Sequence, residues 1–153
     1  MDVVAVIHHS LNQLPSDNIY ELLNIYHIEI QYEPLLITHK RESMILSYRG
    51  QTIIFRKPTT NTQYIRFLLW HEFGHYILHR KSNMRMNYYL STRWMETEQQ
   101  ANIFAVLGVL HNVDLAGKDP VQVAVADGVP QPIAEDVFRI LAEHRHQCQH
   151  TLE

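Results

Sequence analysis

Apolar positions along the chain keep a helical rhythm, change to a strand rhythm, and return to a helical one. Residues 1–14 alternate poorly and are read as a short N-terminal helix packing on the body. From Pro15 the signals sharpen: Ser16 or Asp17 caps a helix that runs to about Tyr26, with Ile19, Leu22, Leu23 and Tyr26 at helical spacing. His27 to Glu33 alternates Ile28 and Ile30 with polar neighbours, a strand that Pro34 ends. Two further strand runs, Ser43 to Arg49 and Gln51 to Lys57, flank Gly50 as a hairpin. Then the period returns to that of a helix. Thr60 and Gln63 are spaced as a capping box, and Tyr64, Ile65, Phe67, Leu68, Leu69, Trp70, Phe73, Ile77 and Leu78 leave almost no polar face, so this helix is expected to be buried. Another helix covers Trp94 to Leu110. Asp119 and Pro120 start a short one, Gly128-Val129-Pro130 interrupts it, and Gln131 to about His146 forms the last, with Ile133, Val137, Ile140 and Leu141 inward. The predicted class is α+β, with a three-stranded sheet, a buried helix, a second long helix and C-terminal helices.

The buried helix carries polar chemistry in an apolar setting. In Trp70-His71-Glu72-Phe73-Gly74-His75, two histidines four apart lie one turn apart on one face, so their imidazoles can converge on one ion. Glu72 is about 100° round the axis, beside such an ion, where a general base can reach a water without taking a coordination place. This is the His-Glu-x-x-His arrangement of zinc proteases. A buried carboxylate needs a partner, and a metal supplies one. His79 extends the spacing by another turn, but residues His71 and His79 are separated by about 12 Å of rise. A partly buried, hydrogen-bonded structural histidine is the expected role.

Catalytic zinc usually takes three protein ligands and leaves one position open. Glu98, 23 residues after His75, lies on the second long helix, whose small residues Ala101, Ala105 and Gly108 allow its backbone close to the first. Asn102, one turn beyond, could bond the outer nitrogen of a ligand histidine. Glu96 is the rival ligand, about 200° away and off the small-residue stripe.

His71-Glu-Phe-Gly-His75 followed by Glu98-Gln-Gln-Ala-Asn-Ile-Phe-Ala resembles the ImmA/IrrE family of metallopeptidases, over about residues 15 to 112. The chain departs from that pattern at Val106 to His111, where the family often reads Leu-Leu-Met-Pro. The resemblance implies a zincin-like core, one Zn²⁺ held by His71, His75 and Glu98, and Glu72 as the catalytic glutamate. It also implies a substrate: members occur in bacteria, phages and mobile elements, and typical ones cleave a helix-turn-helix repressor protein. A non-enzymatic anti-repressor, binding its partner with the same fold and a structural metal, is the alternative.

Composition narrows the rest. At 153 residues and 46% hydrophobic, the chain suits one domain, read as a catalytic core over 1–112 and a helical appendage over 113–153. Net charge is −3 with signs mixed, which leaves no electrostatic footprint for nucleic acid and no polybasic membrane patch. Val3 to Ile7 is too short for the core of a signal peptide, and no run reaches membrane-spanning length, so a cytoplasmic location is expected. The single cysteine, Cys148, fits a reducing compartment.

Several weaker signals remain. The strand holding Ile53, Ile54 and Phe55 enters the metal helix, and as an edge strand it could bind an extended peptide by strand addition. Tyr76, Tyr88, Tyr89, Arg93 and His111 are candidates for steadying an oxyanion. Arg80, Lys81 and Arg85 read as a solvated turn complementing the helix dipole. Ala124, Gly128 and Val137 fall as in a weak helix-turn-helix, but Glu135 and Asp136 open its second helix with the wrong charge for phosphates. His144, His146, Cys148 and His150 have metal-like composition on a spacing that scatters them round a helix.

Overall fold

A computed structural model describes residues 2–34, 42–79 and 94–151, with side chains described to residue 147 and, in the last segment, from residue 96. Helix α1 is Val3–Asn12; Asp2 caps it, its Oδ1 accepting from Val4 N at 3.0 Å, and Val4, Ile7 and Leu11 face inward. Helix α2 is Ile19–Ile25. It starts later than the pattern of its sequence predicts, because Asn18, in extended conformation, accepts from Tyr20 N and Glu21 N at 2.9 and 3.2 Å. Ser16 supports that cap from outside, accepting from Asn18 N and donating to Glu21.

His27, with φ of 57°, turns the chain into β1, Ile28–Tyr32. Strands β2, Ser43–Tyr48, and β3, Gln51–Arg56, form the expected hairpin. Arg49 and Gly50 both have positive φ, 50° and 79°, as the two central residues of a tight hairpin turn must. The sheet is mixed: β2 pairs antiparallel with β3, and β1 pairs parallel with β3 on its other side. The expectation that Ile53, Ile54 and Phe55 lie on an edge is therefore wrong. β3 is the middle strand, its backbone engaged on both sides, and Ile54 is fully buried.

Helix α3, Thr62–His79, follows. Asn61, not Thr60, caps it, with Oδ1 accepting from Tyr64 N at 3.1 Å and its carbonyl accepting from Ile65 N at 3.0 Å. The helix is as deeply seated as its composition requires: Ile65, Phe67, Leu68, Leu69, Trp70 and Phe73 are buried. Helix α4, Trp94–Val109, packs along it. Ala101 and Ala105 are fully buried, and a Cβ on Gly108 would lie 2.4 Å from the Trp70 ring. Arg66 reaches across to donate to Val109 O at 3.0 Å, satisfying a carbonyl at the end of α4.

Asp119 caps α5, Pro120–Ala126, and α6 runs from Gln131 to Thr151, past the expected end. Gly128, at φ of 99°, lies against the backbone of Gln63, where a Cβ would come within 2.5 Å of the carbonyl carbon. Ala124, Val129, Ala134 and Val137 join Leu22, Ile54, Trp70 and Phe104 in one core, so the C-terminal helices share the interior of the catalytic segment. The result is an α+β molecule with six helices and a three-stranded mixed sheet among the described residues. No described helix is long and apolar enough to cross a membrane.

Candidate metal centre

Helices α3 and α4 supply the centre. One turn apart on α3, His71 and His75 bring their rings to 4.9 Å between centroids. Across the interface, the Glu98 carboxylate of α4 spans them: Oε2 is 3.0 Å from His71 Nε2 and Oε1 is 3.0 Å from His75 Nε2. The close helix approach that Ala101, Ala105 and Gly108 permit is what lets this side chain reach. Glu96 is exposed and does not join the group.

Glu72 is 4% exposed and sits beside the imidazoles, and His71, Glu72 and His75 each offer a donor atom within 4.8 Å of one another. Ser43, at the start of β2, donates to Glu72 Oε2 at 3.3 Å. Burial raises the Glu72 pKa above the ordinary carboxylate value, and the nearby imidazoles and Ser43 only partly offset it. Glu98 goes the other way. Burial alone would raise it, but hydrogen bonds and charge from His71 and His75 hold it far below the usual range. His71 is raised despite its burial, because the Glu98 bond, the Glu72 charge and Asn102 together favour its charged form. Asn102, one turn beyond Glu98, lines the cleft over this centre and interacts with the His71 side chain, while His71 Nδ1 itself is buried with no hydrogen-bond partner at ordinary geometry among the described residues.

The donor set fits a metal ion. The Nε2 atoms of two imidazoles and a carboxylate converge from two packed helices, in a place where burial strips hydration from Glu72 beside them. His71, His75 and Glu98 could hold the ion, with Glu72 alongside.

His79 is 7% exposed and does not join the cluster. Its Nδ1 is 3.1 Å from His75 Nδ1 and its Nε2 is 2.8 Å from Gln100 Oε1. Burial lowers its pKa below the ordinary histidine value. The structural role expected of this residue holds, but its contact with a ligand histidine was not foreseen, although the four-residue spacing from His75 already placed the two rings one above the other.

A cleft of about 460 Å³ opens over the centre. Its walls come from β2, with Ser43, Ile45 and Leu46, from α3, with Tyr64 and Phe67, and from α6, with Ile133. Sequence pattern gives neither Ser43 nor Ile133 a role at the site, since both arrive through tertiary packing from distant segments. Of the oxyanion candidates, Tyr76 lines the cleft, whereas His111 is exposed beyond the end of α4 and does not line it. Tyr88, Tyr89 and Arg93, like Arg80, Lys81 and Arg85, lie outside the described residues. Ile53, Ile54 and Phe55 do not line the cleft; their place is taken by the neighbouring strand β2. His144 pairs with Asp2, and the side chains of Cys148 and His150 lie outside the described set.

The family model described as IrrE N-terminal-like domain, of the peptidase M78 family, matches residues 24–117. That span starts later and ends later than the resemblance read from the motifs, and it contains His71, Glu72, His75, Glu98 and Asn102. Neither the curated proteins nor the solved structures give a match. With well over half its length matched and the His-Glu-x-x-His helix facing a carboxylate from the next helix, the chain belongs to the IrrE N-terminal-like (ImmA/IrrE) family of metallopeptidases.

Proposed function

We propose that the protein is a zinc-dependent endopeptidase that cleaves a helix-turn-helix repressor and so relieves repression of phage or mobile-element genes in the cytoplasm. The observation that carries the metallopeptidase reading is the Glu98 carboxylate, 3.0 Å from both His71 and His75 with Glu72 buried beside them. One Zn²⁺ at His71, His75 and Glu98 would supply Lewis acidity, polarising a peptide carbonyl and acidifying a water. Glu72 would take a proton from the water as its oxygen bonds to the peptide carbonyl carbon, and deliver that proton to the amine as the C–N bond breaks. Its raised pKa suits the task, because a carboxylate with little hunger for a proton would be a poor carrier. Ser43 holds the carboxylate in place from the sheet side.

The substrate lies extended in the cleft, along the outer edge of β2. That strand pairs only with β3 among the described strands, and its residues Ser43 to Ser47 line the cleft above Glu72. A protein substrate presents a flexible segment to such an edge more readily than a folded surface. The specific repressor class rests on the family resemblance.

The reading is tested by incubating the protein with the repressor encoded beside its gene, with and without a zinc chelator, and weighing the products. Two fragments that disappear on chelation support it. Inactivation of the repressor without fragments would instead support binding by occupancy.

A further inference from the structure

We propose that His79 and Gln100 are positioning residues that set the proton on His75 so that its Nε2 lone pair faces the metal position. The inference rests on the metallopeptidase reading above. It starts from which atoms can donate. Gln100 Oε1, 2.8 Å from His79 Nε2, is an acceptor, so His79 Nε2 carries the proton and donates. With its one proton on Nε2, the ring of His79 presents a lone pair at Nδ1. That nitrogen lies 3.1 Å from His75 Nδ1 and accepts from it, which places the His75 proton on Nδ1. His75 Nε2, the atom 3.0 Å from Glu98, is then the lone-pair face of the ring.

This chain of bonds also links the two ligand helices. Gln100 and Glu98 both belong to α4, and His75 and His79 to α3, so this pair of helices is joined at the centre and again one turn along α3. No comparable histidine bond is made at His71, whose buried Nδ1 has no hydrogen-bond partner at ordinary geometry among the described residues. The two histidines are therefore unequal, and His75 is the braced one. A ligand histidine whose second nitrogen is fixed in this way binds metal more tightly and in a single orientation.

The test is zinc affinity, measured by competition with a chromophoric chelator on the full chain, with Zn²⁺ alone as the probe and far-ultraviolet circular dichroism confirming the fold. The variants are His79→Phe, which fills the same space without hydrogen bonding, His79→Gln, which can accept from His75 and donate to residue 100, and Gln100→Leu. We expect His79→Phe and Gln100→Leu to bind zinc about 10- to 100-fold more weakly, with faster release, and His79→Gln to recover most of the loss. Unchanged affinity in His79→Phe and Gln100→Leu would overturn the inference while leaving the metal site standing. So would a loss that His79→Gln fails to recover, since packing would then explain it. A wild-type chain that takes up no zinc would overturn the metallopeptidase reading and this inference together. Should His79→Phe not fold, Gln100→Leu takes its place: weakened binding there with near-normal binding in His79→Gln supports the inference, and any other pairing overturns it.

Discussion

Glu72 and Glu98 are both buried acids beside the same imidazoles, and their environments drive them apart. Glu98 is pulled down by bonds to His71 and His75, as suits a ligand that stays ionised; Glu72 is pushed up by burial, as suits a group that picks up and gives back a proton. Glu72→Gln keeps the shape and removes the base, so cleavage should fall by about 10²- to 10⁴-fold while bound metal stays at the wild-type level. Parallel cleavage assays and elemental analysis check this. Tyr64, on the cleft wall, makes a separate prediction. Burial and the Glu42 carboxylate push its phenol up to about 12 from 10.0. Its folded pKa is thus raised, so its contribution to stability is whole below pH 10 and is lost as pH rises through about 12. Denaturant unfolding across that alkaline window should show a smaller decline for Tyr64→Phe than for wild type. At this scale the metal cluster was legible, since the spacing of His71, Glu72 and His75 forces them together on a helix. Ser43 was not: nothing in a serine at a strand start signals the glutamate 29 positions ahead that it bonds.

Helix α3 shows why local pattern reads well and partner choice reads poorly. Its apolar length was plain, yet its cap shifted from Thr60 to Asn61 because an amide side chain closes the turn there. Likewise the hairpin of β2 and β3 followed from Gly50 and the flanking runs, while the order of strands did not. The unbroken apolar run Ile53-Ile54-Phe55 is the sign of a strand covered by neighbours, against the alternation of an edge, and β1 pairs there in parallel. That pairing leaves β1 and β2 as the two edges of the sheet, and of these only β2 lines the cleft. The seam of α3 and α4 depends on small residues, above all Gly108 beneath Trp70. Gly108→Ala puts a methyl 2.4 Å from the indole, and we expect a loss of about 1–3 kcal/mol in urea unfolding. A neutral effect would mean that the ring can move aside and that the seam is looser than its geometry.

Across the whole molecule, the division into a core over 1–112 and an appendage over 113–153 marks the motifs and not the packing. Val129, Ala134 and Val137 are buried in the same interior as Trp70, and Ile133 reaches the cleft wall beside the catalytic elements. The family match ends at residue 117, so these contacts belong to a part of the chain that the family pattern does not describe. A chain ending at residue 117 should therefore lose cooperative unfolding, since it strips Ala124, Val129, Ala134 and Val137 from the core and uncovers the apolar side chains of α3 and α4 that they pack against. A sharp thermal transition in that shortened chain would contradict the shared core. Joint burial of distant segments is not written in any one stretch of sequence, because it depends on how Gly128 lets the turn before α6 settle against Gln63.

The most direct test is zinc binding by the wild-type chain and by Glu98→Ala, titrated side by side with calorimetry and counted by elemental analysis. Wild type should hold one ion, and Glu98→Ala should bind it more than about 100-fold more weakly, beyond what loss of a supporting residue costs. Equal affinity in the two proteins, or no zinc in wild type, would contradict a centre built from His71, His75 and Glu98.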